Sequence, residues 1–432
     1  LFPSAVRKVA VGPKKWLMRP MSAAQWTFKA FPGQTLMTVE NGVFKGRTVV
    51  GNYAAFYHDL AAQLLPTGGM VMYIDSPNWN NIDSIQLSLT DAAGTTGWTW
   101  KWTRAGFIQW YGSGRRALAF SHRDIKTLVG TPDVAATQLE KLTLTVVQNG
   151  ASAQAEIWFA GIERDTDRAA GRATISIGAD DCLSSWFSTG IPMLQAAGIY
   201  NSYNSVIADK IGTAGFATGT QLRSFVDAGG ECVVHGPMGV YENGDLRKYT
   251  TFDGVYGDLC FNRDFLTANG YAKNGSETIY IFPRGLYDFS TGDDTIYRAL
   301  RAAGFKAARV TSEASGALLA SNPAIWTFTR ERLDSHSAYG IPIIGHSWSS
   351  TDEAGNITRI LNTIDALVAD KGNGCLMFHD VVTTATLQTQ ISTANLQLIV
   401  NRIASHVSAG NLDVLSPTQQ WLSYLLDQQP IV

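Results

Sequence analysis

Near residue 168 the hydrophobic rhythm of this chain changes, and that change constrains the fold more than any single motif. From Gln25 to Gly161 the apolar residues recur with period two: Ile85, Leu87 and Leu89 alternate with Gln86, Ser88 and Thr90, and Leu142, Leu144 and Val146 alternate with Thr143 and Thr145. Period two puts successive side chains on opposite faces of a strand, and short alternating runs broken by Gly, Asn, Asp and Pro predict an antiparallel β-sandwich. After the charged stretch Glu163-Arg164-Asp165-Thr166-Asp167-Arg168 the pattern becomes strand then helix, repeatedly. Strands are expected at 173–180, 203–207, 231–235, 277–282, 307–310, 341–345, 374–378 and 412–415, with helical segments between most of them, several closed by Gly. Repeated strand–helix units imply parallel strands joined by right-handed crossovers, in a barrel or an open wound sheet.

Two domains are therefore expected in the 432 residues, preceded by a basic, irregular arm or linker at 1–20. The sandwich would occupy 21–168 and the α/β domain 169–432. Eight of the 12 Trp lie before residue 170, which also marks the first part as a different module. Trp98, Trp100 and Trp102 share one strand face, with Lys101 and Arg104 nearby and Trp110-Tyr111 on the next run. Such a row can stack on sugar rings, but the large area of an indole favours a place in the sandwich core. His58 and His122 stand alone and receive no role. The net charge of −2 with 16% charged residues gives no electrostatic case for nucleic acid or an anionic membrane surface. No run of 18 apolar residues is present, so no membrane insertion is expected. Cys182, Cys232, Cys260 and Cys375 lack Cys-x-x-Cys spacing and read as small buried hydrophobes.

The candidate chemistry lies at strand ends. Thr174-Ile175-Ser176-Ile177-Gly178-Ala179 runs into Asp180-Asp181; Glu231-Cys232-Val233-Val234 ends in His235; Tyr280-Ile281-Phe282 ends in Pro283-Arg284-Gly285; Gly374-Cys375-Leu376-Met377-Phe378 ends in His379-Asp380. An Asp pair after a strand is often only a helix cap. Four strands delivering polar groups at one end, where α/β folds place their sites, point instead to an active site.

In that order these residues resemble the polysaccharide deacetylase family (the NodB homology domain, carbohydrate esterase family four), over roughly residues 172 to 422. The resemblance implies an incomplete (β/α) barrel with Asp180 as general base and Asp181 and His235 as ligands of a divalent metal, zinc being the expected ion. The family's second metal histidine falls on Gly239. Pro283 and Arg284 would line the substrate groove, with His346 and Trp348 as further substrate-side residues, and His379 would be the general acid. The first part resembles jelly-roll, galactose-binding-like modules that accompany carbohydrate-active enzymes.

The chemistry can also be argued from the residues. Removing an acetyl group needs an activated water, stabilisation of the oxyanion and an acid for the leaving group. Asp180, a metal on Asp181 and His235, and His379 would supply these. Two protein ligands are few for catalytic zinc; the third is open between Glu242, Asn243 and water. Asp380 and His346 are candidates for orienting His379, although Asp380 also suits a capping role. The expected activity is deacetylation of a surface or capsular polysaccharide. A metal-independent glycoside hydrolase or amidohydrolase, and an inactive polysaccharide-binding protein, remain as alternatives. The combination of modules looks like that of a secreted or phage tail enzyme, with a chain that is processed or part of something longer. The oligomeric state, homo-oligomers included, and the particular sugar stay open.

Overall fold

A computed structural model describes residues 15–29, 37–48, 53–65, 69–77, 79–103, 114–121, 127–150, 154–164, 172–236, 245–283, 295–309, 353–369, 371–387 and 389–422. The expected strand at 341–345, His122, Gly239, Glu242, Asn243, Arg284, His346 and Trp348 lie outside them.

The first twelve strands are β1 (Lys15–Met18), β2 (Trp26–Lys29), β3 (Met37–Glu40), β4 (Val43–Arg47), β5 (Tyr53–Leu64), β6 (Gly69–Ser76), β7 (Ile82–Thr90), β8 (Gly97–Thr103), β9 (Gly114–Ser121), β10 (Thr127–Val129), β11 (Gln138–Gln148) and β12 (Glu156–Arg164). Among the described residues they form two antiparallel sheets of six strands. One runs β3-β4-β12-β6-β9 with β1 also on β12, and the other runs β10-β8-β7-β11-β5-β2. The basic arm expected at 1–20 is thus part of the sandwich at Lys15–Met18, where Trp16 pairs with Glu163. A strand there hydrogen-bonds its backbone to an edge that would otherwise be open.

Both sheets contribute to one core, as period two requires. Leu87, Leu89, Leu142, Leu144 and Val146 meet Phe44, Met70, Met72, Ile157 and Phe159 in it. Trp98, Trp100 and Trp102 are buried in the same core, so these indoles are packing residues. Trp100 and Trp102 both meet the ring of Phe120, at 4.9 and 5.7 Å between centroids.

The second part is α/β. Its strands are β13 (Ala173–Ala179), β14 (Tyr203–Val206), β15 (Glu231–His235), β16 (Ile279–Ile281), β17 (Ala307–Arg309), β18 (Asn373–Phe378), the short pair β19 (Asp380–Val382) and β20 (Gln390–Ser392), and β21 (Leu412–Val414). Helices α1 (Ile191–Ala196), α2 (Gly219–Asp227), α3 (Phe252–Ala268), α4 (Thr295–Ala302), α5 (Glu353–Ala369) and α6 (Thr393–Ser408) intervene. Hydroxyl caps begin three of them: Thr218, Thr251 and Ser392 accept from the backbone of Gln221, Gly254 and Asn395. Gly270 and Gly410 follow α3 and α6 at φ 65° and 73°, as left-handed helix ends require.

Seven parallel strands run β17-β16-β15-β14-β13-β18, with β21 on β13. One edge of β13 is shared, since Ala173, Thr174 and Ile175 pair with β21 while Gly178 and Ala179 pair with β14. The sheet curls into a half-barrel. One face packs on the helices through residues such as Ile175, Ile177, Val234, Leu259, Ile364 and Ile399. The inner face holds Tyr203, Val233, Ile279, Ile281, Ala307, Cys375, Met377 and Trp421. Gly178 admits the Tyr203 ring, because a Cβ there would lie 2.5 Å from it.

Polar residues close the amino-terminal end of this interior. Buried Glu231 accepts from Ser416 Oγ at 2.7 Å, from Thr418 N at 3.0 Å and from Thr418 Oγ1. Gln420 donates to Thr174 Oγ1 at 2.9 Å and to the Gly374 carbonyl at 3.1 Å. Burial raises the Glu231 carboxyl in spite of these donors. The opposite end of the sheet is left for the site.

Candidate active site

Strand β13 delivers the carboxylates. The Asp180 amide still belongs to the sheet, donating to the Phe378 carbonyl at 2.8 Å. Asp181 and Cys182 follow in the left-handed region at φ 67° and 59°, which is uncommon without glycine. The bend sends neighbouring carboxylates into different surroundings: the Asp180 side chain is 4% exposed and that of Asp181 is 39% exposed.

Asp180 is enclosed. Its Oδ1 accepts from Ser205 Oγ of β14 at 3.0 Å, and its Oδ2 is ion-paired with the fully buried guanidinium of Arg309 at the end of β17. The Arg309 carbonyl accepts from Phe282 N at 3.0 Å, a bond that ties β17 to the end of β16 just before Pro283. Ser205 and Arg309 join the site without being among the expected residues. Arg309 carries a readable signal, since Ala307-Ala308-Arg309 is another apolar strand ending in a polar group.

Asp181 lies between two imidazoles. His235 Nε2 is 3.1 Å from Oδ1, and His379 Nε2 is 3.9 Å from Oδ2. Burial pushes the Asp181 carboxyl upward, but the His235 hydrogen bond and the charges of His235, His379 and Arg309 prevail and hold it at about 2. His235 is buried, and its Nδ1 faces the Ile281 carbonyl at 3.0 Å. A carbonyl oxygen only accepts, so Nδ1 carries a proton and the neutral ring keeps its lone pair on Nε2, facing Asp181. Burial lowers the pKa of His235, yet the hydrogen bond to Asp181 and the charges of Asp180 and Asp181 raise it above the ordinary histidine value. A lone pair facing a carboxylate oxygen needs a proton or a cation between them. The imidazole nitrogen and carboxylate oxygen are ligands that zinc accepts, and the Ile281 carbonyl is the kind of outer partner that orients a metal-bound histidine. The pair therefore fits a divalent metal. Among the described residues no three His, Cys, Asp or Glu side chains gather as a metal cage.

The other expected residues are placed as follows. Pro283 is buried at the carboxyl end of β16. Asp380 does not reach His379: its oxygens accept from Ser185 Oγ at 2.6 Å and Gln390 Nε2 at 3.1 Å, and Ser185 Oγ accepts from Val381 N at 3.0 Å. That network fastens the segment after β18 through side-chain partners. Cys182, Cys232, Cys260 and Cys375 are all free thiols, three of them buried.

No protein-family model matches the sequence, and no curated protein matches it. Similar solved structures include the Streptococcus pyogenes deacetylase PplD in complex with acetate, at 20% identity and TM-score 0.27, over 33% of this chain and 59% of that one. The chain thus spans about 59% of the length of that deacetylase. A family 11 carbohydrate-binding module from Clostridium thermocellum, in complex with a β-1,3-1,4-mixed-linked tetrasaccharide, is 11% identical at TM-score 0.26, over 35% of this chain and 94% of that one. A family 29 carbohydrate-binding module is 7% identical at TM-score 0.22, over 35% of this chain and 87% of that one.

Proposed function

We propose that the chain is a polysaccharide deacetylase on an incomplete (β/α) barrel, a hydrolase that removes acetyl groups from an acetylated polysaccharide. The observation that carries this reading is the division of labour between Asp180 and Asp181. Asp180 is buried against Arg309 and Ser205, which fix the direction of its oxygens, as a base that takes a proton from water needs. Asp181, more open, faces His235 and His379 from two other strands. Asp181 and His235 would hold a divalent metal, which when bound polarises a carbonyl and acidifies water. His379, 16% exposed at the end of β18, would give a proton to the departing group.

Glycoside hydrolysis fits these residues less well. It requires a carboxylic acid kept protonated by its surroundings. Asp181 is held at about 2, far from that requirement, and Asp180 is ion-paired with the buried Arg309 guanidinium. The deciding experiment incubates the purified chain, after metal analysis, with N- and O-acetylated polysaccharides and measures acetate and reducing ends. Acetate without new reducing ends supports deacetylation. Reducing ends without acetate would replace it with glycoside cleavage, and neither product would leave polysaccharide binding alone.

A further inference from the structure

Ser185 joins the two chain segments whose separation sets the geometry of the site. Pairing between β13 and β18 ends at Ala179 and Phe378, with the Asp180 amide on the Phe378 carbonyl at 2.8 Å. Past that point both chains leave the sheet, one through the left-handed bend at Asp181 and Cys182 and the other through His379. Strand pairing alone therefore does not fix where His379 lies relative to Asp181. Asp181 does not fix it either, because 3.9 Å from its Oδ2 to His379 Nε2 is too long for a hydrogen bond.

Ser185 follows that bend and stands directly before the helical turn Trp186–Gly190. Its hydroxyl makes two bonds to the chain beyond His379: it donates to Asp380 Oδ1 at 2.6 Å and accepts from Val381 N at 3.0 Å. The other oxygen of Asp380 accepts from Nε2 of Gln390 at 3.1 Å, and Gln390 is the register partner of Asp380 across the β19–β20 pair. Gln390 is held in turn at Oε1 by Thr386 N, Thr386 Oγ1 and Leu387 N, at 3.0, 3.2 and 3.1 Å. The Asp380 amide donates to the Thr389 carbonyl at 3.2 Å, and buried Val381 and Ile391 anchor both short strands in the helix-side core. The backbone around His379 is thus pinned at Phe378 by the sheet and at Asp380 by this clamp.

We infer, on the deacetylase reading, that Ser185 is a positioning residue for the acid: through Asp380, with Gln390 on the far side, it sets the place from which His379 gives its proton. In that reaction the water oxygen bonds to the acetyl carbon while Asp180 takes the water proton. The sugar nitrogen or oxygen leaves with the bonding pair and takes a proton from His379. Proton transfer in the transition state tolerates little displacement, since a misplacement of about 1 Å can cost on the order of 10²-fold in rate. A hydroxyl suits the joint because it donates and accepts at once. Alanine at 185 keeps neither bond, whereas threonine retains the group that makes both.

The test measures acetate released by the full chain, after incubation with zinc, from a panel of soluble N- and O-acetylated oligosaccharides. Ser185→Ala should lower kcat about tenfold with KM within about twofold, and Ser185→Thr should restore kcat to within about threefold of wild type. On para-nitrophenyl acetate, whose phenolate leaves without an acid, Ser185→Ala should lose less than about twofold. Ser224→Ala, on the exposed side of α2, should behave as wild type on both. Melting curves verify folding, and Gln390→Glu, which sets a second carboxylate against Asp380, stands in with the same expected loss if Ser185→Ala is unfolded. No acetate from the wild type removes the deacetylase reading and this inference together. With acetate from the wild type the reading stands, and the inference alone falls if the folded variant turns over as wild type, if threonine fails to restore the rate, or if both substrates lose equally.

Discussion

Arg309 and Asp180 form an ion pair between the ends of β17 and β13, with the guanidinium fully buried and the carboxylate 4% exposed. Removing one partner of such a pair leaves an uncompensated charge, at a cost of about 3–5 kcal/mol. Arg309→Met should therefore lower unfolding free energy by about that amount in denaturant titrations. Arg309→Met combined with Asp180→Asn should recover part of it, because no buried charge is then left alone. A double variant as unstable as the sum of the singles would show that the two residues act independently.

The same carboxylate is the candidate base, and His379 the candidate acid. Asp180→Asn and His379→Ala should each lower deacetylation turnover by ~10²-fold or more with the fold retained. His379→Ala removes a partly exposed side chain and is the cleaner measurement; Asp180→Asn also disturbs Arg309 and needs its melting curve beside its rate. Near-wild-type turnover in either folded variant removes that residue from the mechanism.

Much of the architecture is readable because burial imposes period. Ile85-Gln86-Leu87-Ser88-Leu89 alternates as one face of a sandwich strand must, and Ile175 and Ile177 mark a strand buried on both sides by having no charged alternation. The gathering of Asp180, Asp181, His235 and His379 is readable for a related reason, since parallel strands carry their carboxyl ends to one edge. What is not readable depends on register and rotamer. Nothing local says that Asp181 turns away from Asp180 at a positive φ, that Arg309 reaches Asp180 across the sheet, or that Ser88 and Thr143 fall in one row. Lys15–Met18 looks irregular because a four-residue edge strand is too short to display a period.

His58 supplies a pH prediction for the sandwich. It is buried edge-on against Trp26, with ring centroids 4.9 Å apart, and burial lowers its pKa below the usual histidine value in spite of neighbouring Asp59. Above about 6.5 the ring is neutral folded or unfolded and contributes nothing to pH dependence. Below that value the unfolded chain takes up a proton that the folded sandwich resists, so stability is lost as pH falls toward the folded pKa. Melting followed by Trp fluorescence should show His58→Phe losing less stability than wild type between pH 7.5 and 5.5. Equal losses would place the acid sensitivity elsewhere.

The change of rhythm near residue 168 predicts independence of the two parts. Each has a core of its own, one built on β13 to β21 and their helices and one on β1 to β12. A chain beginning at about Asp167 should fold alone, show the far-ultraviolet signature of mixed helix and strand, and deacetylate short soluble substrates at the rate of the full chain. Loss of activity only on polymer would assign the sandwich to substrate capture. An insoluble product would mean that the sandwich shields apolar barrel surface.

The metal is tested without relying on turnover alone. Because the Ile281 carbonyl holds the His235 proton on Nδ1, a divalent ion at Nε2 competes with one proton, and Asp181 at about 2 is ionised throughout the working range. Zinc titrated into chelator-treated protein should therefore bind more weakly at pH 5.5 than at pH 7.5 and should raise the melting temperature where it binds. His235→Ala and Asp181→Ala should each abolish that rise, while Cys260→Ala, on α3, should preserve it. Activity should fall on chelation and return with zinc. Protein that carries no metal, gains no stability from zinc and still releases acetate would leave Asp180 and His379 to act without one, and Asp181 would then serve only as an ion-pair partner for His235.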